Sequence, residues 1–181
     1  FMAGLSALSG VALTGCNKDD YLPPHFGGLL DASDALTMSV QRMLLTEQSM
    51  AREYSVADIS EDFPVVGTRL PNNIGYVMSL SNNFLDWRLR VDGLVDRPLS
   101  LSLADLKKLP ARTSITSHSC EEGWTAIGQW TGTPLSQVLE LAGLQRTARY
   151  ITFQCVDGWY DYLDLFDALH AQTILAYGMN G

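Results

Sequence analysis

With 181 residues, 46% hydrophobic and 18% charged, the chain is long enough for one well-filled core and short for two. Its 12 Lys and Arg against 20 Asp and Glu leave a formal charge of -8. That argues against nucleic acid as a partner, which needs a basic face to displace phosphate counterions.

The first 16 residues, FMAGLSALSGVALTGC, are small, apolar and uncharged, and Asn17, Lys18, Asp19 and Asp20 come at once after them. Such a run is shorter than the roughly 20 residues that span a bilayer, and it fits the apolar region of an export signal. Its end, Leu13-Thr14-Gly15-Cys16, resembles a bacterial lipobox, in which Cys16 carries the lipid. Phe1-Met2-Ala3-Gly4 also resembles the stretch after the paired arginines of twin-arginine signals. A buried helix or an irregular tail would show the same composition. An exported chain lives where disulfides persist, so Cys120 and Cys155 could pair, provided that their α carbons come within about 7 Å.

Tyr21 to Leu30, with two prolines and two glycines, predicts an extended linker. From Asp34 the stripe Leu36, Val40, Met43 and Leu44 has helical spacing, and the helix is expected to run to about Arg52. The next stretch, DISEDFPVVGTRLPNNIGY, is rich in turn formers and long enough to pack over something. Alternation at Trp87, Leu89 and Val91 predicts a strand closed by the Asp92-Gly93 turn. Ser102 and Asp105 form a capping-box start for a helix that Pro110 stops.

Residues 112 to 119 then read as a strand that delivers Cys120 to its end. Thr133-Pro134 opens a helix over LSQVLELA, and Gly143 closes it. Residues 150 to 155 alternate as a strand, with Asp157-Gly158 as the turn after it. Asp164 starts a short helix that fades near His170, and TILAY is a last strand running into Asn180-Gly181. That final pair is a hairpin signal, so the chain is expected to be part of a longer one. Short strands and helices alternate irregularly without a glycine-rich phosphate loop, which gives an α+β class.

The thiol of Cys120 has several possible uses. As a nucleophile it needs a base, and His118 at two residues' distance on a strand shares its face. Glu121 and Glu122, however, raise rather than lower a thiol pKa. A zinc site from His118, Cys120, Cys155 and His170 lacks the usual ligand spacing. A Cys120-Cys155 disulfide in a non-enzymatic exported lipoprotein is the plainer alternative. The remaining use is a thiolate on a redox metal with other sulfur ligands.

Residues 118 to 135, HSCEEGWTAIGQWTGTPL, resemble the cysteine segment of the sulfite oxidase-type molybdopterin-dependent oxidoreductases. The pattern is similar to C-V-E-x-W followed by W-x-G-x-P-L in their short bacterial branch, which includes a periplasmic methionine sulfoxide reductase. SNNFLDWRLRVDGLVDRPLSLSLADLKKLPART and ARYITFQCVDGWY fall where the family has related segments. The likeness runs from about Asp34 to Gly181. It implies a molybdopterin-binding fold of mixed short sheets and short helices, truncated at its C-terminus. The organisation it suggests is an export-signal remnant over 1–16, a linker over 17–33 and an oxidoreductase domain over 34–181.

The resemblance also assigns residues. Cys120 is the molybdenum ligand beside the pterin dithiolene, and Asn82 holds the pterin by its amide. Leu85 and Asp86 stand where the branch has Tyr-Glu at the cofactor. Asp86 keeps the acid, while Leu85 has only its backbone to offer. Cys155 stands in place of a cofactor-binding threonine, and a thiol is a weaker hydrogen-bond partner. His118 occupies a place near the metal where a basic residue is common, and Glu122 matches the acid after the cysteine. Asp157 and Tyr160, on the loop after Cys155, are further pocket candidates.

The implied chemistry is two-electron oxygen-atom transfer at molybdenum-molybdopterin on a small-molecule substrate. The chain has no C-x-x-C-H and no iron-sulfur pattern. The expected electron partner is therefore a membrane haem protein or another carrier, with Cys16 lipid holding the chain at the membrane on the periplasmic or outer side. Because the family continues beyond the point matched by Gly181 with more pterin-binding surface, residues 1–181 alone are expected to have little or no activity.

Overall fold

Caps, turns and apolar spacing set the elements in a computed structural model that describes residues 24–45, 49–66 and 70–181. The lipobox-like Leu13–Cys16 lies outside the described residues. The chain divides into two compact units, Phe1–Thr46 and Glu47–Gly181.

In the first unit, helix α1 spans Pro24–Leu44. The extended linker expected through Leu30 is thus helical from Pro24, and the helix stops at Leu44 instead of Arg52. Proline suits a first helical turn, because its fixed φ matches the helix and its missing N–H has no partner there to lose. The division after Thr46 leaves α1 whole. No described helix is long and apolar enough to cross a membrane.

The second unit opens with an irregular strap and a 3-10 turn, Val56–Asp58. Helix α2 (Ile74–Ser81) comes next, its N-cap Asn73 accepting from the Tyr76 N–H at 3.2 Å. Strand β1 (Arg88–Val91) pairs antiparallel with β2 (Leu99–Ser102), Arg88 facing Ser102. Helix α3 (Leu103–Lys108) starts on the capping box read from the sequence. Asp105 N–H donates to Ser102 Oγ at 3.1 Å, and Asp105 Oδ2 accepts from the Ser102 N–H at 3.1 Å.

Strand β3 (Arg112–Ser119) has the span expected of it. It returns as β4 (Thr125–Pro134), which leads into α4 (Leu135–Ala142). A second hairpin joins β5 (Tyr150–Gln154) to β6 (Tyr160–Asp164), and Asp164 caps α5 (Leu165–Ala168). Strand β7 (Ile174–Met179) then pairs with β4, making an antiparallel sheet of order β3-β4-β7. The α+β class holds, with every pairing among the described strands antiparallel.

Neither β4 nor β6 shows in the sequence pattern. Gly128 and Gly132 interrupt β4, and glycine is depleted in strands. Tyr160, expected on a loop, opens β6.

The core lies along one face of α4. Leu135, Val138, Leu139 and Ala142 recur at helical spacing, and Val138 and Ala142 are 0% exposed. Against Leu135, Leu139 and Ala168 pack Leu144, Ile151, Phe153, Leu163 and Leu175, most of them from the β5-β6 hairpin and β7. Gly143 ends α4 in the left-handed region at φ 70°, a conformation that glycine adopts without strain.

The chain from Ser49 to Ser60 packs over the sheet, and of the irregular stretch read from the sequence it is Ser60 that takes part in these hydrogen bonds. His170 Nε2–H donates to the Ser49 carbonyl at 3.0 Å, while His170 Nδ1 accepts from the Gln172 N–H at 3.2 Å. The Gln172 side chain accepts from the Ala51 N–H and donates to the Ala51 carbonyl, at 2.6 and 3.1 Å. Farther on, Tyr54 N–H reaches the Ile115 carbonyl at 2.9 Å and Ser60 N–H the Ile127 carbonyl at 3.0 Å. The strap thus lies along the β3-β4-β7 sheet.

Candidate active site

Alternation along β3 puts Ser114, Thr116 and His118 on one face, and pairing sets them beside Trp130, Gly128 and Ala126 of β4. β7 pairs with β4 from Trp130 onward and Asn180 holds Gln129, which leaves the part of β4 before Gln129 to another partner. Ser60 is that partner, its hydroxyl also accepting from the Ile127 N–H at 2.9 Å. Three residues on, Phe63 stands edge to face with His118, Trp124 and Trp130, with ring centroids 5.8, 5.7 and 5.6 Å away. Gly128 makes this approach possible: a β carbon there would lie 3.1 Å from Phe63 and 3.2 Å from Trp130 Nε1.

These rings, with Ser114 and Thr116, Gln172 before β7 and Ile174 and Ala176 within it, line a pocket of about 440 Å³. His118 Nε2 hydrogen-bonds Thr116 Oγ1 at 3.0 Å. Burial among the rings pushes the imidazole below its ordinary value of 6.5, so it is neutral near pH 7. Trp130 Nε1 is buried and has no acceptor among the described residues.

Cys120 comes directly after β3, two residues past His118. Its N–H donates to the Trp124 carbonyl at 2.9 Å, and its carbonyl accepts from the Gly123 N–H at 3.0 Å. Gly123, at φ 94°, supplies the left-handed residue of this turn. Glu122 accepts from the Trp124 indole at 3.1 Å, which fixes the ring that borders the pocket. Cys120 is half-buried and free, and Cys155 is exposed and free, so the disulfide alternative is not realised. Each cysteine heads its own hairpin turn, and a turn tip has no constraint that brings it to the other. Among the described residues no cluster of three or more His, Cys, Asp or Glu could hold a metal, which removes the zinc reading.

Cys155 repeats the Cys120 turn. Its N–H reaches the Trp159 carbonyl at 2.8 Å, its carbonyl accepts from Gly158 at 3.1 Å, and Gly158 has φ 87°. The signal is legible as two copies of C-x-x-G-W, Cys120–Trp124 and Cys155–Trp159, each joining two antiparallel strands. Asp157, in the second copy, accepts from the Trp159 N–H at 3.1 Å and so serves the turn. Tyr160 is exposed on the other hairpin and does not line the pocket.

Asn82 is the C-cap of α2. Asn83 and Phe84 after it have φ 54° and 58°, and Phe84 N–H bonds back to the Ser79 carbonyl at 2.6 Å. This left-handed pair turns the chain so that Asn82 Nδ2 donates to Asp86 Oδ2 at 2.7 Å. Asn82 Oδ1 is buried without a donor. Leu85 exposes its side chain, and its carbonyl already accepts from Arg88 Nη1 at 3.0 Å. Asn73, at the other end of α2, donates to the Val156 carbonyl at 3.1 Å and ties that helix to the Cys155 turn.

The structure therefore makes two groups from the expected residues. Asn82 and Asp86 pair at the end of α2, and His118 joins the rings beside the Cys120 turn. No hydrogen bond links the two groups among the described residues. Phe63, Thr116 and Gln172 are the members that sequence patterning misses, since an irregular strap and distant strands bring them to the pocket.

Hairpins around short helices, with a free cysteine at the tip of the longest hairpin, define an α+β architecture. The description "Oxidoreductase molybdopterin binding domain" matches residues 77–181, more than half of the chain. The chain belongs to this family, of sulfite oxidase type, whose cofactor is molybdenum-molybdopterin.

Among its relatives is a protein of Azospira oryzae, provisionally named protein-methionine-sulfoxide reductase subunit YedZ1. It is 33% identical over 99% of this chain and 64% of its own length. The uncharacterized oxidoreductase YuiH of Bacillus subtilis is 32% identical over 68% of this chain and 60% of its own. The protein-methionine-sulfoxide reductase catalytic subunit MsrP of Campylobacter jejuni is 27% identical, over 56% of this chain and 41% of its own. The chain thus spans less than two thirds of each of these relatives. In fold it is similar to the sulfane dehydrogenase SoxCD of Paracoccus pantotrophus. The TM-score is 0.50 at 21% identity, over 54% of this chain and 30% of that one.

The residues present fit such a cofactor. Cys120 is an uncommitted soft sulfur, and the buried oxygen of Asn82 lacks the hydrogen bond that buried polar atoms normally have.

Proposed function

We propose that the protein carries out two-electron oxygen-atom transfer on a small sulfur-oxo or related substrate, with Cys120 as its ligand to molybdenum. The observation that carries this reading is the position of Cys120, free and half-buried on a turn closed by two backbone hydrogen bonds, beside an aromatic pocket. A soft ligand held by its own backbone keeps its direction through a redox cycle. When bound, the cofactor supplies the two-electron change and the oxo-transfer chemistry.

The chain's own residues bind and orient. Asn82 offers its unpaired amide oxygen to a donor on the pterin, while Asp86 holds the amide nitrogen. Cys155 and the Leu85 backbone are lesser candidates for contact with the cofactor. Glu122 steadies Trp124, and Phe63 packs against the two indoles in the wall of the pocket. His118, neutral and bonded to Thr116, is placed to exchange a proton with bound substrate. Two relatives named as methionine-sulfoxide reductases support a sulfur-oxo substrate.

For electrons, this reading calls for a redox carrier, for which a membrane haem protein is suited. Lipid on Cys16 would hold the protein beside it on the outer side of the membrane. In a membrane-partition assay, Cys16→Ser should shift the protein to the soluble fraction, and unchanged partition removes the anchor.

Elemental analysis of the whole protein should show one molybdenum, and Cys120→Ser should lose it or lower it at least tenfold. Stoichiometric metal in that variant overturns the ligand assignment.

A further inference from the structure

We propose that the pocket beneath Phe63 is the substrate-recognition site of the reaction proposed above. Trp130 Nε1–H is its specificity-determining donor, and the ligand is a neutral oxo compound with an apolar body, such as an alkyl sulfoxide, rather than an oxyanion such as sulfite. The inference rests on that reading for its chemistry and on the pocket alone for its selectivity.

Most polar groups of the wall already have partners. Thr116 and His118 are bonded to each other at 3.0 Å. Gln172 has its amide on Ala51 and also donates to Glu53 Oε1 at 3.2 Å. Thr116 Oγ1, His118 Nε2 and the Gln172 amide are thus engaged within the fold. Trp130 Nε1–H is different, since it is buried and has no acceptor among the described residues. Folded proteins seldom leave such a donor unpaired, so it is open to an acceptor from a ligand or a water. A ligand acceptor placed there gains a hydrogen bond without breaking one.

The remaining wall decides the ligand's charge. Among the described residues lining the pocket there is no lysine or arginine, and the other surfaces are aromatic or aliphatic. An anion entering would lose its hydration with no cation to replace it, whereas a sulfoxide brings a strong acceptor and no net charge. Its alkyl groups and sulfur suit contact with the indole and phenyl edges. Cys120 lies two residues past His118, so a ligand held here is adjacent to the turn that carries the thiol.

Phe63 controls access. Its ring and Trp130 Nε1 both lie within about 3.3 Å of the point where a Gly128 β carbon would sit, and the phenyl stands edge to face with the indole, its centroid 5.6 Å away. The strap is pinned to β4 at Ser60, and residues 62–66 carry no regular hydrogen-bonded element. Phe63 is thus the part of the wall able to swing aside.

The test is an NMR titration of the holoprotein, following the indole N–H resonances, with dimethyl sulfoxide and separately with sulfite. Absence of its signal in Trp130→Phe identifies the Trp130 resonance. Dimethyl sulfoxide should move that resonance saturably downfield, and Trp130→Phe should raise the KM for sulfoxide at least tenfold with a smaller effect on kcat. Sulfite should leave the resonance in place. An unmoved resonance, an unchanged KM in Trp130→Phe, or an equal shift with sulfite overturns the proposal.

Should Trp130→Phe fail to fold, Phe63→Ala supplies the second arm. Removing the ring should speed hydrogen exchange at Trp130 Nε1 and change the sulfoxide KM, and the absence of both changes would overturn the proposal. Molybdenum content measured on the same samples separates the two readings. A titrating indole in protein that never binds metal defeats the cofactor reading and leaves the pocket standing, whereas metal with a silent indole defeats the pocket.

Discussion

His118 shows how a neighbour far away in sequence sets a residue's chemistry. Its imidazole titrates below 6.5 because Phe63 and Trp130 displace water from it, which disfavours the charged form. Phe63→Ala should readmit water and raise the histidine pKa toward 6.5, which an NMR pH titration of the ring protons would detect. A pKa that stays low in that variant would assign the shift to Trp130 alone. Cys120 was legible from its own segment, because the spacing of Trp124, Trp130, Gly132 and Pro134 after it is specific. Asn82 and Asp86 were legible as positions but not as a pair, since the left-handed backbone at Asn83 and Phe84 that joins them has no sequence mark beyond an asparagine. Phe63 was not legible at all, because an aromatic in an irregular strap has no period to betray its target.

At the level of the elements, α3 and β4 make opposite cases. The capping box of α3 was readable, and it fixes an acid dependence. Hydrogen bonds from Ser102 and then Lys108 hold the Asp105 carboxyl down at about 2, against an ordinary 3.8. Its contribution is therefore complete above pH 3.8 and is lost as the pH falls through about 2. Asp105→Asn should flatten this part of an acid-unfolding curve followed by circular dichroism. Ser102→Ala removes the cap at every pH and should cost about 1 kcal/mol, roughly 2–4 °C in Tm for a chain of this size.

Strand β4 was hidden by the glycines that permit it. Gly132 lies at a register shift against β7, where a β carbon would run into the Leu175 carbonyl and the Ala176 backbone. Neither is a flexible side chain that could move away. Gly132→Ala should destabilise the unit by about 3 kcal/mol or more, read from urea unfolding, whereas Gly158→Ala at an exposed turn should cost less. Similar losses at both sites would show that the close approach of β7 carries no special weight.

For the molecule as a whole, every buried hydrophobic residue described, from Val95 to Ala168, lies in the unit Glu47–Gly181. A chain of residues 47–181 should therefore fold alone, with a cooperative thermal transition within a few degrees of that of the full chain. Loss of the transition would mean that the first unit contributes to that core. Sequence by itself determined the α+β class, the caps at Ser102, Gly143 and Asp164, and the family through the Cys120 segment. Those signals are local: a cap, a turn and a family motif each act over a few neighbouring residues.

Tertiary structure alone decided that the two cysteines stay free, that the N-terminal helix begins at Pro24, and that β4 lies between β3 and β7. It alone brought Phe63 over Trp130 and left an indole N–H without an acceptor. Such features depend on which residues meet across long stretches of chain. The free energy of burial and pairing selects those meetings, and no single stretch of sequence contains both partners.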